Sequence, residues 1–331
     1  MKSVRIFLTL VTVIVAGLSF ATTHAQQVRQ PREKLRLPVY RPGLAQVEAS
    51  PVEQIAQQIP PLATRQVQAA QPAEAQPAQA AAATDEHPLA PKVVMAQKLL
   101  EDMRTNVKDY SATMVKRERV DGVLLDYQYM AAKIRQEQVN ERGEVVTPFS
   151  VYLNFVAPET VKGREVIYVK GRNDGKLTAH DGGSGIIAAI RSAVTVNLEP
   201  TSQRAMQGNK YPITDIGMQN LLNKLIEVAE LDMQHGEVEV KTFEGTKING
   251  RSCTCLQTVH PVPREHFRFH VARIYIDDEH KLPIRYESYG WPESEGAKPP
   301  LLEEYTYLDL KLNNGFTDRD FDATNPGYNF N

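Results

Sequence analysis

The stretch FSVYLNFVAPETVKGREVIYVKGRNDGKLTAHDGG, Phe149 to Gly183, decides the fold. Phe149, Val151, Leu153 and Phe155 fall on one face of an extended chain, with Ser150, Tyr152 and Asn154 on the other. That period of two marks a half-buried antiparallel strand. Pro158 ends this strand, Lys162-Gly163 opens the next, and the turn Gly171–Gly175 feeds a third over Lys176–Ala179. Consecutive strands joined by short turns make a meander, because parallel neighbours would need long crossovers. No catalytic or metal motif of high specificity lies in the stretch.

Upstream, Val93, Ala96, Leu99, Leu100, Met103 and Val107 recur at three-to-four spacing, which predicts an amphipathic helix started by Asp85 or by the following Pro88 and Pro91. The period then switches to two over Tyr110, Ala112 and Met114. Asp121-Gly122 supplies a hairpin turn, and Leu125, Tyr127, Tyr129 and Ala131 return. Downstream, the apolar run Gly185–Val194 suits a small helix or flap, and Pro200 to Tyr211 reads as a polar loop. A second helix is expected from Thr214 as N-cap, with Ile216, Met218, Leu221, Leu222, Leu225 and Ala229 as its stripe. Further strands follow over Glu237–Phe243, Arg251–Val259, His266–Asp277, Pro283–Tyr289 and Leu302–Leu312.

The sum is an α+β domain over residues 88–331. Its expected form is a single strongly curved antiparallel β-sheet, a half-barrel, with helices packed on the concave face. Residues 26–87 are rich in Ala, Gln and Pro and bury too little apolar surface to offset their chain entropy, so they are expected to be a disordered linker. Residues 1–25 carry Lys2 and Arg5, an apolar run from Ile6 to Phe20, and small residues before Ala25, the pattern of a cleaved signal peptide. The apolar run is shorter than the roughly 20 residues a membrane span needs. A periplasmic or secreted protein, peripheral to a membrane at most, is the expected location.

With 38 Lys and Arg against 40 Asp and Glu, net charge is −2, which gives no warrant for nucleic acid as a partner. In an extended strand the only cysteines, Cys253 and Cys255, would have Cα atoms roughly 6.5–7 Å apart. That lies at or beyond the limit for a disulfide, so two small side chains on one buried face are expected.

Three strings invite chemical readings. Ser184 in His180–Gly185 lacks the final glycine of a nucleophile elbow, Ile186 standing in its place, and its surroundings are antiparallel, so a flexible turn is the better reading. His260, His266 and His270 could join Cys253 and Cys255 around a soft metal, but Phe267, Phe269 and Val271 alternate with polar residues as in an ordinary strand. Asp318, Asp320 and Asp322 resemble the start of a calcium loop, yet Ala323 replaces its glycine and Asn329 its glutamate. Thr317 with Asp320 reads as a helix cap, and Phe316, Phe321, Tyr328 and Phe330 as pins for the tail. No catalytic residue, cofactor or metal is expected.

The order of a leading helix, a YSATMVKRE strand and then YLNFVAPETVKGREVIYVKG resembles the periplasmic lipoprotein-carrier (LolA-like) fold. More specifically, EEYTYLDLKLNNGFTDRDFDATNPGYNF with GNKYPITDIG (Gly208–Gly217) resembles the bacterial envelope family domain of unknown function 1571. The carrier resemblance implies a half-barrel whose helices close an apolar cavity able to hold an acyl chain or another hydrophobic ligand. The residues expected to line it are Tyr127, Tyr129, Phe149, Val151, Leu153 and Phe155 on the strands, and Ile186 and Ile190 in a gating flap. Leu222 and Leu225 on the second helix, with Tyr305 and Tyr307 on the last strand, complete the set. The expected function is non-catalytic binding of a hydrophobic small molecule, lipid or lipoprotein in the cell envelope. The alternatives are a protein-binding envelope module with a fully packed core, and a hydrolase.

Overall fold

The computed structural model describes residues 86–182 and 194–330. The expected leader, nearly all of the expected linker, and residues 183–193 of the expected flap, with Ser184, Ile186 and Ile190, lie outside them. Helix α1 (Ala90–Asn106) leads into β1 (Asp109–Val120), β2 (Val123–Leu124), β3 (Gln128–Arg135), β4 (Gln138–Val139), β5 (Val145–Thr147) and β6 (Ser150–Ala157). Next come β7 (Glu165–Val169), β8 (Leu177–His180), β9 (Thr195–Leu198), a short helix α2 (Gln203–Met206) and helix α3 (Met218–Asp232). Strands β10 (Glu239–Ile248), β11 (Arg251–Val259), β12 (Val271–Asp277), β13 (Pro283–Tyr289) and β14 (Leu301–Leu312) complete the sheet.

All pairs are antiparallel, and the sheet is open, with the path β10-β11-β12-β13-β14-β1-β3-β6-β7-β8-β9. Strand β1 lies inside that path, with β14 on one side and β3 on the other, so two meanders meet on it. Asp121 and Gly122 both take positive φ, +49° and +80°, as the tight turn between β1 and β2 requires.

Register fixes which side chains share a face. Met114 pairs with Met130 and Met130 with Phe155, while Ala112 pairs with Ala132 and Ala132 with Leu153. These rows join Val93, Leu100 and Met103 of α1 and Met218, Leu222 and Ile226 of α3 in one apolar cluster. Cys253 and Cys255, both buried and unbridged, belong to it as well. The opposite face is covered in part by the tail. Phe321, Tyr328 and Phe330 pack on Tyr152, Ile167 and Val169, with the Tyr152 and Tyr328 rings stacked at 4.0 Å. Thr317 and Asp320 form the expected capping box, and the Asp109 carboxylate accepts the N–H groups of Asn314, Gly315 and Phe316 at 2.6, 3.1 and 3.2 Å.

Several elements differ from expectation: helix α2 falls within the expected polar loop Pro200–Tyr211, β10 runs on to Ile248, and β3 is shifted to Gln128–Arg135. Thr214 does not cap the second helix, because it lies in a 3-10 turn with its hydroxyl on Asp215 Oδ1. Helix α3 starts at Met218, whose N–H donates to the Tyr110 hydroxyl at 2.9 Å. Gly217 precedes it at φ +108°, where a Cβ would come within 3.1 Å of that hydroxyl. His266 to His270 form a loop and β12 begins at Val271, because the buried His260 ring draws this segment inward. Its Nδ1 donates to the Phe269 carbonyl at 2.9 Å and Phe267 stacks on it at 3.9 Å.

Candidate functional site

The helix-bearing face of the sheet is not filled throughout. Between it, α3 and the segment from Arg204 to Gly217 lies a cavity of about 1580 Å³. Met114, Met130, Leu153, Phe155, Leu225 and Tyr307 give it apolar walls. This exceeds the roughly 300–1,000 Å³ typical of a site for one small molecule. A second space of about 100 Å³ lies between α1, α3 and strands β11 to β13, lined by Leu222 and Leu225 among others.

Of the expected cavity residues, Leu153, Phe155, Leu225, Tyr305 and Tyr307 stand on the wall of the large cavity. Phe149 and Val151 belong to the same apolar cluster but stand off that wall, and Leu222 borders the small space. Tyr127 and Tyr129 are misplaced by the sequence reading. In β3 it is Gln128 and Met130 that reach the cavity, so Tyr129 falls on the opposite face beside Val115 and Leu308, with Tyr127 packed against them. Both faces of β1 and β3 bury apolar side chains here, so alternation alone does not tell which face is which.

A charged station in the wall was not anticipated. Period two carries the face of Met114 on to Lys116 and Glu118, and that of Tyr305 on to Glu303. Lys116 Nζ lies 3.0 Å from Glu118 Oε2 and 2.6 Å from Asn209 Oδ1. The Tyr305 hydroxyl lies 2.5 Å from Glu118 Oε1 and 3.2 Å from Glu303 Oε2. Glu303 Oε1 accepts from Ser288 Oγ at 3.0 Å and from the Tyr211 hydroxyl at 3.3 Å, and faces Lys210 Nζ at 2.9 Å. Two carboxylates and two ammoniums thus meet where the GNKY segment (Gly208–Tyr211) crosses the sheet. Burial first, and then the Glu303 charge, push the Tyr211 and Tyr305 hydroxyls well above the usual phenol range, so both stay protonated as donors. The sequence signal for the station is a charged pair on an apolar stripe, Lys116 and Glu118 in YSATMVKRE.

The residues of the metal reading are engaged with other partners, and Ser184 lies outside the described residues. His260 is buried against Asp232, with Nε2 3.1 Å from Oδ2, while His266 stacks on His235 at 3.6 Å and His270 Nδ1 bonds the His260 carbonyl. Burial is the main cause that pushes the Cys253 and Cys255 thiols up to about 11, which keeps them protonated. Asp318 binds Arg135 and Arg172, and Asp320 binds Lys133. Among the described residues, Asp277, Glu279 and His280 cluster as metal ligands could, but the Arg251 guanidinium bonds all three.

No curated protein matches the sequence. Among solved structures, the chain is similar to the lipoprotein LppX of Mycobacterium tuberculosis, at 12% identity over 70% of this chain and 100% of that one, with a TM-score of 0.36. It is similar to a LolA superfamily protein of Nitrosomonas europaea, at 11% identity over 69% and 97% of the two chains, with a TM-score of 0.26. A putative outer membrane lipoprotein-sorting protein domain of Vibrio parahaemolyticus is 12% identical over 70% and 95%, with a TM-score of 0.32. The expected likeness to LolA-like structures is found among them, while the assignment of the sheet rests on its own strand order and register. The model of the family described as protein of unknown function (DUF1571) matches residues 107–330, which include every strand of the sheet, and the chain belongs to that family.

Proposed function

We propose that this protein is a non-catalytic envelope protein that binds a hydrophobic or amphipathic ligand, a lipid or an acyl chain of a lipoprotein. The observation that carries the reading is the cavity of about 1580 Å³ walled by Met114, Met130, Leu153, Phe155, Leu225 and Tyr307. Each methylene buried there is worth about 0.8 kcal/mol, so an alkyl chain of ordinary length supplies its own driving force. The reading takes this face as the concave side of a half-barrel, residues 1–25 as a cleaved leader and residues 26–87 as a spacer. Location in the periplasm or outside the cell, at the membrane surface at most, goes with it. No helix among the described residues is long and apolar enough to cross a membrane.

Organic-solvent extraction of the purified protein followed by mass spectrometry tests the reading. Recovery of a stoichiometric lipid is expected, with uptake of a fluorescent fatty acid by the delipidated protein. Failure of both would overturn it and favour a protein-binding module.

A further inference from the structure

We propose that the amphiphile taken by this cavity carries an ammonium group, bound by Glu303 in the place that the chain's own Lys210 fills. The inference rests on the carrier reading and names the polar end of its ligand.

Four observations converge on it. Glu118 and Glu303 are more than nine-tenths buried, with side-chain exposures of 4% and 6%, and both line the cavity, whose wall also carries Arg164, Arg204, Lys224 and Arg268 beside its apolar side chains. A carboxylate so placed needs a cation beside it, since an unpaired buried charge is strongly destabilising. The two cations are unlike. Lys116 is a fixture of β1, 9% exposed and bonded to both Glu118 and Asn209. Lys210 is 31% exposed and comes from the crossing segment, between Gly208 at φ +71° and Pro212. Its ammonium lies 2.9 Å from Glu303 Oε1 and 5.4 Å from the centre of the Tyr211 ring.

A carboxylate and an aromatic ring around one ammonium make the chemistry that recognises amine-bearing ligands. Tyr286, Tyr305 and Tyr307 add further rings on the same wall. Lys210 is the replaceable occupant, because its side chain reaches solvent and it belongs to neither β1 nor β14. Exchanging it for a ligand's ammonium keeps two cations on two carboxylates. At the Glu118–Glu303 station an anionic head would bring a third negative charge, and a neutral head would leave Glu303 without a counter-ion once Lys210 moves.

The test uses the full-length chain filled with Nile red. Displacement by lysophosphatidylethanolamine is compared with lysophosphatidylglycerol of the same acyl chain, and dodecylamine with dodecanol. The ammonium-bearing member of each pair is expected to displace the dye at a roughly ten-fold lower concentration, the worth of one hydrogen bond to a charged group. Lys210→Met should widen both ratios, and Glu303→Gln should bring them close to one. Equal displacement within each pair, ratios unmoved by Lys210→Met, or ratios that survive Glu303→Gln would each overturn the inference. Because the Lys210 side chain is partly exposed and outside the sheet, its variant reads the site even if Glu303→Gln fails to fold. Nile red that binds without any head preference sinks this inference alone, whereas a chain that takes up neither dye nor lipid sinks the carrier reading with it.

Discussion

The Tyr110 hydroxyl accepts the Met218 N–H and so stands where a capping side chain would, more than a hundred residues away in the sequence. Tyr110→Phe leaves that buried N–H unpaired while keeping the ring. A loss of about 1 kcal/mol is expected, seen as a fall of about 2–4 °C in thermal unfolding for a domain of this size. Nothing local in the sequence announces this contact. Thr214 offers the usual capping residue type just before an apolar stripe, and its reading as a cap fails because a partner from β1 supplies the acceptor. Lys116 and Glu118 were equally present in the sequence, on the same stripe as Met114, but a charged pair there reads as a strand end until Glu303 and Lys210 are brought beside it. Residue roles set by long-range partners are the part that sequence alone could not supply.

Among the elements, the tail makes the clearest pH prediction. Hydrogen bonds from Arg172 and then Arg135 hold the Asp318 carboxyl below its usual range. A folded pKa below the unfolded value means the contribution is complete above about pH 4 and is lost as pH falls further. The tail should therefore loosen from Tyr152, Ile167 and Val169 below about pH 4. Hydrogen exchange at residues 316–330 measures this, and Asp318→Asn should flatten the profile while weakening the tail at neutral pH. The capping box at Thr317 and the aromatic pins were legible in the sequence because both are local patterns. The strands were legible for the same reason, through alternation punctuated by Asp121-Gly122 and Gly171–Gly175. The segment His266–His270 alternates too, yet it is a loop, since the buried His260 ring and its bond to Phe269 outweigh the propensity of five residues.

For the molecule as a whole, the decisive property is hollowness, and composition does not encode it. The same Leu153, Phe155 and Tyr307 would serve a packed core, and only the distances between α3, the Arg204–Gly217 segment and the sheet make them a wall. Ala179 on β8 lines that wall, so Ala179→Trp should fill part of the space. A several-fold loss of Nile red uptake is expected, with a change in stability under about 1.5 kcal/mol because added volume enters a void and not a packed core. Unchanged uptake would place the dye elsewhere. The sheet order carries a different consequence, one of timing. Strand β1, the first of the described strands, acquires one of its two neighbours only from β14, so Tyr110 waits for Leu312, some two hundred residues later. Until then β1 offers an unpaired edge to any other extended chain it meets, and pairings this distant close slowly. A helper that shields the waiting edge of β1 should therefore raise the yield of folded protein more than one that hastens any turn.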